Sequence, residues 1–506
     1  MRKGRKTGGR SGRLALRQAE EKVHRPAAPG QVGGHYRPLT ETELLAIVDT
    51  AYRILDEIGF GDVPEIVMST ALAQGCRIND LGRLSFPRSF VEDIVAGACK
   101  SFTLHGRNPD HTIEVGGDRV YFGTGGAAVQ TLDLDTGLYR PSTLHDLYNF
   151  TRLVDRLENV SWFTRCCVAT DVTDNFELDI NTVFALMKGT QKPVGTSFTI
   201  GEYVDPAVQM FDLVAGGEGK FAKAPFCKVH ISPVISPLRY GEDAVDVMLA
   251  CMRHNMPINS IIAAQSGATA PATLAGMLAQ TTAETLAGLI LVNLFQRGYP
   301  VIFSNWPFVI DLRTGAFCGS GGEISVMNAA AAQIGNYLGL PTGIASSMAD
   351  AKAVDAQMGA EKSLSAATCG LSGANMIYES SGMMASLLGA SFEAFVLDNE
   401  MLSNINRTIR GVEVNEETLG FEAIKSAIVG DGHFLGGDHT LNAMERDYFY
   451  PPLANRDTPA MWNESGQPDA WSVAKAKARE ILGQPDPDYV DKAVEKQIKD
   501  RFPIHL

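Results

Sequence analysis

The stretch Val301–Glu323, VIFSNWPFVIDLRTGAFCGSGGE, decides the fold. A short apolar run, Val301-Ile302-Phe303, ends in Ser304-Asn305-Trp306. A Gly-rich loop follows, and Glu323 opens a long Ala-rich segment of helical character. A strand that stops in polar and aromatic residues and then loops into a helix is one βα unit. Short β-rich runs near 119–123, 160–168, 193–198, 227–232, 258–263, 300–304, 342–346 and 375–378 repeat this pattern. Helical stretches near 143–157, 175–188, 204–215, 240–254, 272–296, 323–338, 354–370 and 391–405 alternate with them. Eight βα units predict a (β/α)8 TIM barrel, an α/β fold of about 250 residues in its typical form. No Gly-rich dinucleotide fingerprint with its matching acidic residue accompanies the first strand; Gly123-Thr124-Gly125-Gly126 reads as a tight βα turn.

Outward from the barrel, the pattern divides the chain into four parts. Residues 1–35 form a basic, flexible tail, with seven Lys and Arg before the first acid at Glu20. Residues 36–115 form an N-terminal α+β cap, opened by the capping box Thr40-Glu41-Thr42-Glu43. The barrel runs over 116–400, and 401–506 form a C-terminal helical extension expected to wrap the barrel and to self-associate. The whole chain carries −14, so the part beyond the +7 tail carries −21. The tail is expected to dock on this acidic body or on a partner subunit, with no nucleic-acid and no membrane partner. Leu274–Phe295, the most apolar long stretch, contains Gln280, Thr281, Thr282 and Glu284, against a membrane span. Eight scattered cysteines without a CxxC pair or a secretion signal read as reduced thiols of a cytoplasmic protein. No metal-ligand set of recognised spacing is present, so no metal site is expected.

Chemistry in such a barrel sits at the C-terminal strand ends. These are read as Tyr121-Phe122-Gly123-Thr124, Ala169-Thr170-Asp171, Thr196-Ser197-Phe198-Thr199, His230-Ile231-Ser232, Ala264-Gln265-Ser266-Gly267, Ser304-Asn305-Trp306, Ser346-Ser347-Met348 and Tyr378-Glu379-Ser380. No lysine for Schiff-base work and no Ser-His-Asp set stands among them. The inventory is aromatic, amide and hydroxyl, with few charges. Phe122, Phe198 and Trp306, joined by Tyr121 or Tyr378, suit a cation held against ring faces.

Six motifs then resemble the trimethylamine methyltransferase superfamily, the corrinoid-linked methylamine and betaine methyltransferases. They are FGTG (122–125), SGATAPATLAG (266–276), IDLRTG with GGE (310–315, 321–323), GLPTGIASSMADAK (339–352), EKSLSAATCGLSGANMIYESSGM (361–383) and FVLDNE (395–400). The likeness runs from about residue 38 to about residue 480. It implies a (β/α)8 barrel and methyl transfer from a small amine to Co(I) of a separate corrinoid (cobalamin) protein, with no cofactor bound tightly by this chain. In the archaeal trimethylamine branch the residue two before the Asp of this motif is pyrrolysine; here it is Met348. A neutral tertiary amine is a poor source of methyl, because it must leave as an amide anion, and the pyrrolysine ring is proposed to convert it into a quaternary cation. Methionine offers no electrophile. The resemblance therefore points to the non-pyrrolysine branch and to a ready-made quaternary amine such as glycine betaine. Trimethylamine, proline betaine or carnitine as substrate, or a non-catalytic betaine-binding scaffold, are the alternatives.

On this reading Trp306, Phe122 and Phe198 form the cage, and Asn305, Gln265 and His230 grip a carboxylate. Glu379 pairs with the ammonium or with a loop arginine such as Arg313. Met348 is a pocket wall. Arg313, Glu323, Asp350, Lys352 and Gln357 scaffold the loops at the mouth.

Overall fold

The computed structural model describes residues 26–430 and 432–506; most of the basic tail lies outside them. Eight short parallel strands alternate with eight helices. The strands are β1 Arg119–Phe122, β2 Phe163–Thr164, β3 Val194–Thr196, β4 Cys227–Ile231, β5 Ile258–Ile262, β6 Val301–Asn305, β7 Thr342–Ala345 and β8 Met376–Tyr378. The helices that follow them in turn are α1 Leu144–Asp155, α2 Asn175–Gly189, α3 Val204–Ala215, α4 Glu242–Met252, α5 Leu274–Phe295, α6 Gly322–Tyr337, α7 Ala356–Leu371 and α8 Phe392–Arg410. The expected alternation of strand and helix is therefore present in order.

The strands lie in one curled nine-stranded sheet, ordered from Gln31–Val32 through β1, β8, β7, β6, β5, β4 and β3 to β2. First and last parallel strands pair directly, with Tyr121 opposite Met376 and Phe122 opposite Ile377. The outer edge of β1 is shared. Gln31–Val32 pairs antiparallel with its first half. The segment leading into β2 meets its second half through Ser161 N donating to Phe122 O (2.7 Å) and Thr124 N donating to Trp162 O (3.4 Å).

Side chains on such strands alternate between the sheet interior and the surrounding helices. On β6, Ser304 faces inward, where its hydroxyl donates to Asn259 on β5. Phe303 and Asn305 face outward. α5 is buried along nearly its whole length, because it packs between the sheet and the helices Glu41–Arg53, Glu65–Ala73 and Arg88–Gly97. It is long and apolar enough to cross a bilayer, yet 83% of its apolar window is enclosed by protein. Its one acid, Glu284, accepts from Ser236 Oγ (2.7 Å), Leu238 N (2.9 Å) and Gln280 Nε2 (3.0 Å). The capping box is formed, with Thr40 N donating to Glu43 Oε2 (2.8 Å) and Glu43 N donating to Thr40 Oγ1 (3.4 Å).

Beyond the C-terminal ends the loops build small sheets of their own. The opening stretch continues from β6 into Phe308–Ile310, which pairs with Gln265–Ser266 on one side and Phe317–Cys318 on the other. Asp311 closes this hairpin by accepting from Arg313 N (2.9 Å), Arg313 Nε (2.9 Å) and Arg313 Nη2 (2.8 Å).

Candidate functional site

A cavity of about 490 Å³ opens at the C-terminal strand ends. Its aromatic lining is Phe198, Trp306 and Phe308, and its polar lining includes Arg165, Ser197, His230 and Glu379. A second cavity of similar volume, walled by Val354, Met358, Leu397, Met401 and Trp471, lies outside the sheet beside α7 and α8.

The aromatic side is built on β6 and β8. Trp306 continues the inward series of Ser304, and its Nε1 donates to Gly343 O (3.2 Å), which fixes the ring plane. Tyr378 lies behind it, with ring centroids 5.5 Å apart. Phe308 stands at 6.3 Å from Trp306 and 5.0 Å from Phe317. Aromatic faces grouped in a desolvated pocket attract a quaternary ammonium.

Glu379 follows Tyr378 and by alternation belongs to the outer face. Its φ of +65° breaks the strand and turns the carboxyl inward. The turn succeeds because Gly125 and Gly126 lie beside it: a Cβ on Gly126 would stand 2.8 Å from Glu379 Oε2. Oε2 has no hydrogen-bond partner among the described residues. Burial raises the pKa to about 8, against a smaller opposing effect of Lys362. At neutral pH this side chain is therefore mostly an uncharged acid.

Arg165 supplies the opposite electrostatics. Its Nε and Nη2 reach Ser197 Oγ at 3.2 and 2.9 Å. Among the described residues it makes no ion pair. Asp179, whose charge it feels, is occupied by Thr199 N (2.7 Å). Burial lowers the guanidinium pKa and raises that of Asp179 to about 6. The cavity thus holds a guanidinium without an ion pair among the described residues, though near the Asp179 charge and with Asp243 on the same lining, and an aromatic wall suited to a cation.

Of the residues singled out in the sequence, Phe198, His230, Trp306 and Glu379 share the cavity. Phe122, Asn305, Gln265, Met348 and Tyr121 do not line it. Phe122 faces outward from β1 onto Gly370 of α7. Asn305 precedes Trp306 by one residue and so points the other way, donating to Thr282 Oγ1 on α5 (3.3 Å). Gln265 is drawn into the rim sheet opposite Phe308, and its carbonyl accepts from Ala268, Thr269 and Ala270 in a tight turn. Met348 is fully buried beneath the 317–320 loop, where a Cβ on Gly319 would lie 2.6 Å from its sulfur. Tyr121 packs against Gly30, on the N-terminal side of the sheet.

The loop residues take varied positions. Asp350 ties three loops together, accepting from Gly319 N (2.7 Å), Ser320 Oγ (3.1 Å) and Ser386 Oγ (2.7 Å). Gln357 donates to Glu361 (2.8 Å), which in turn accepts from Asp350 N (2.8 Å). Lys352 contributes its carbonyl to Tyr139 Oη (3.1 Å). Glu323 is exposed in the first turn of α6. Arg313 pairs with Asp311 at the exposed hairpin tip, and not with Glu379.

Two residues escape a reading by strand ends. The run 160–168 reads as one long strand, yet β2 stops at Thr164, so the end residue is Arg165 and not Ala169–Asp171. Asp171 instead caps α1 through Leu144 N (2.8 Å). Lys228 lies inside β4, two residues before His230 and on the same inward face. The Lys-Val-His spacing is the signal that locates it.

Fold and cavity together define an α/β protein with a polar and aromatic cavity at the C-terminal ends of its parallel strands. The family model described as trimethylamine methyltransferase (MTTB) matches residues 6–502, and the chain belongs to that family. It is 27% identical over 471 residues to the glycine betaine methyltransferase of Desulfitobacterium hafniense strain Y51, covering 93% of this chain and 97% of that protein. It is 29% identical to the trimethylamine methyltransferase MttB of Desulfitobacterium hafniense strain DSM 10664 / DCB-2, covering 89% of this chain and 90% of that protein. To the trimethylamine methyltransferase MttB of Methanosarcina thermophila it is 30% identical, covering 81% and 85%.

Proposed function

We propose that the protein is a methylated-amine methyltransferase that takes a methyl group from a quaternary amine carrying a carboxylate, glycine betaine foremost, and delivers it to Co(I) of a separate corrinoid protein. The observation that carries this reading is Arg165: an unpaired guanidinium shares one cavity with Trp306, Phe198 and a protonated Glu379. A zwitterion with a trimethylammonium head and a carboxylate matches both ends. Trimethylamine, protonated in water, offers Arg165 only repulsion.

The corrinoid, carried by its own protein, is the methyl acceptor and supplies the nucleophile. Because the cavity opens at the strand ends, a partner reaches the substrate there without entering the sheet. This chain's residues bind, orient and desolvate. The aromatic wall holds the ammonium with one methyl toward the mouth, and Arg165 anchors the opposite end. The C–N bond breaks with both electrons remaining on nitrogen, and dimethylglycine leaves as a neutral tertiary amine. The positive charge on nitrogen vanishes along this path. A neutral Glu379 therefore suits the transition state better than a carboxylate, which would hold the ammonium ground state. Met348, buried beneath residues 317–320 and carrying no electrophile, supports a substrate that needs no activation.

The curled sheet is read as a complete (β/α)8 barrel, supported by the two backbone bonds that join β1 to the start of β2. The division into tail, cap, barrel and C-terminal extension is kept with it. Exposed Phe421, Ile424, Ile428 and Leu435 support self-association through the extension. The acidic body is read as the face that steers the corrinoid partner. Eight free thiols support a cytoplasmic setting, and no nucleic-acid or membrane partner is part of the proposal.

The test is to incubate the protein with its reduced corrinoid partner and a panel of methylated amines, reading the corrinoid spectrum and the demethylated product. Turnover of glycine betaine supports the proposal. Turnover of proline betaine or carnitine alone keeps the carboxylate class and changes the member. Ligand-induced stabilisation without turnover favours a binding scaffold. Turnover of trimethylamine alone overturns the reading of Met348.

A further inference from the structure

Beneath the cavity lies a buried polar cluster that the methyl transfer itself does not use. Lys228 and His230 point inward from β4, and Lys228 Nζ stands 2.7 Å from His230 Nε2 and 3.0 Å from Thr164 Oγ1. Asn259 Nδ2, on β5, lies 3.4 Å from the same ring nitrogen. On its far side Asn259 Oδ1 accepts from the Ser304 hydroxyl, with Nδ2 facing the ring. Gly195 on β3 leaves the space for the pair: a Cβ there would stand 2.8 Å from Lys228 Nζ and 3.3 Å from His230 Nε2. The Tyr378 ring, its centroid 4.6 Å from Nζ, and the Trp162 ring at 5.7 Å enclose the amine.

An amide nitrogen can only donate a hydrogen bond, and an amine beside a hydroxyl and an imidazole has an N–H for each. Nε2 thus faces the Lys228 amine and the Asn259 amide, with Thr164 Oγ1 also at 3.4 Å; because the amide nitrogen can only donate, Nε2 presents its lone pair. Burial is the main cause that keeps the imidazole neutral, and it likewise lowers the pKa of the Lys228 amine well below its usual value. Its one proton then belongs on Nδ1. The ring lines the cavity, and Nδ1 makes no hydrogen bond among the described residues.

We propose that Lys228, with Asn259, is a positioning residue that locks His230 as the Nδ1–H tautomer, so that the imidazole presents a permanent donor to the substrate carboxylate beside Arg165. This rests on the reading of the cavity as a betaine site. Lys228 touches no substrate; it acts through His230.

The test has two arms on the full-length protein. Long-range proton–nitrogen NMR of histidine-labelled protein, with His230 assigned by its loss in His230→Asn, reads the tautomer without any turnover. The expected result is a pyrrole-type nitrogen coupled to Hε1 alone, which identifies Nδ1–H. A pyrrole-type nitrogen coupled to both Hε1 and Hδ2 overturns the proposal. In the kinetic arm, Lys228→Met is expected to raise KM for glycine betaine about tenfold, the size of one lost hydrogen bond, with kcat little changed. Choline, a quaternary amine without a carboxylate, is expected to keep its KM. His230→Asn, which keeps a donor near Nδ1, is expected to retain betaine affinity better than His230→Leu. An equal loss for both substrates in Lys228→Met reduces Lys228 to a structural role and overturns the proposal. Should Lys228→Met not fold, the wild-type tautomer and the His230→Asn and His230→Leu pair still decide. An Nδ1–H tautomer in a protein that binds no betaine refutes the betaine reading; an Nε2–H tautomer in a protein that demethylates betaine refutes only the present proposal.

Discussion

The Arg165 guanidinium rests on Ser197 Oγ through two of its nitrogens, at 2.9 and 3.2 Å, and forms no ion pair among the described residues. A buried guanidinium satisfied by one hydroxyl keeps donors and charge available for a ligand. Arg165→Met is expected to raise KM for glycine betaine by ~10–100-fold, the loss of one charged hydrogen bond of about 1.5–3 kcal/mol. Choline, lacking the carboxylate, is expected to be unaffected or improved. Steady-state kinetics with both substrates decide the point, and equal losses for both would refute carboxylate recognition.

Glu379 makes stability depend on pH in a defined direction. Its pKa is raised by burial from 4.5 to about 8, so the folded protein favours the protonated form. Its full contribution to stability is present below about pH 4.5 and declines as pH rises to about 8, above which the buried carboxylate is a net cost. Glu379→Gln keeps the shape and removes the titration. Thermal melting between pH 5 and pH 9 is expected to show the wild type losing stability against this variant as pH rises. Parallel curves would show that Glu379 ionises normally.

Gly319 and Met348 are tightly packed, and a Cβ at 319 would stand 2.6 Å from the Met348 sulfur. Gly319→Ala is expected to destabilise by about 1–3 kcal/mol through overpacking. Met348→Ala alone is expected to cost about 2–5 kcal/mol through the cavity it leaves. The double variant is expected to lose less than the sum, since the smaller residue at 348 makes room for the new methyl. Denaturant midpoints of all four proteins measure this coupling.

Lys362 and Asp398 form a sealed ion pair at 3.2 Å, with side-chain exposures of 0% and 1%. Lys362 also donates to Ser347 O (2.6 Å) and Met383 O (3.1 Å), so it fastens the segments after β7 and β8 to each other. Lys362→Met is expected to cost about 3–5 kcal/mol by stranding the buried carboxylate and the two carbonyls. Adding Asp398→Asn is expected to recover part of the loss. A urea titration of the single and double variants tests it.

Much of this architecture was legible along the chain. The alternation of short β-branched runs with amphipathic stretches follows from the periods of strand and helix, which are local properties. The Thr40–Glu43 cap is local too, since both partners lie within one turn. The identity of Met348 needs no structure: a thioether cannot act as an electrophile.

Inside versus outside was another matter. Asn305 and Trp306 are neighbours in sequence, and both suit a binding rim by residue type. A strand sends them to opposite faces, so packing alone selects Trp306 for the cavity and gives Asn305 to α5. Phe122 is sent to the helix layer by the same rule. Glu379 escapes that rule because Gly125 and Gly126, far earlier in the chain, leave room for a positive φ to turn its carboxyl inward. Arg165 became visible only when β2 proved two residues long. What the sequence by itself determined was the order of elements and the chemistry excluded at position 348. Tertiary packing decided which polar groups were buried without a partner, because burial and pairing depend on contacts between strands far apart in the chain.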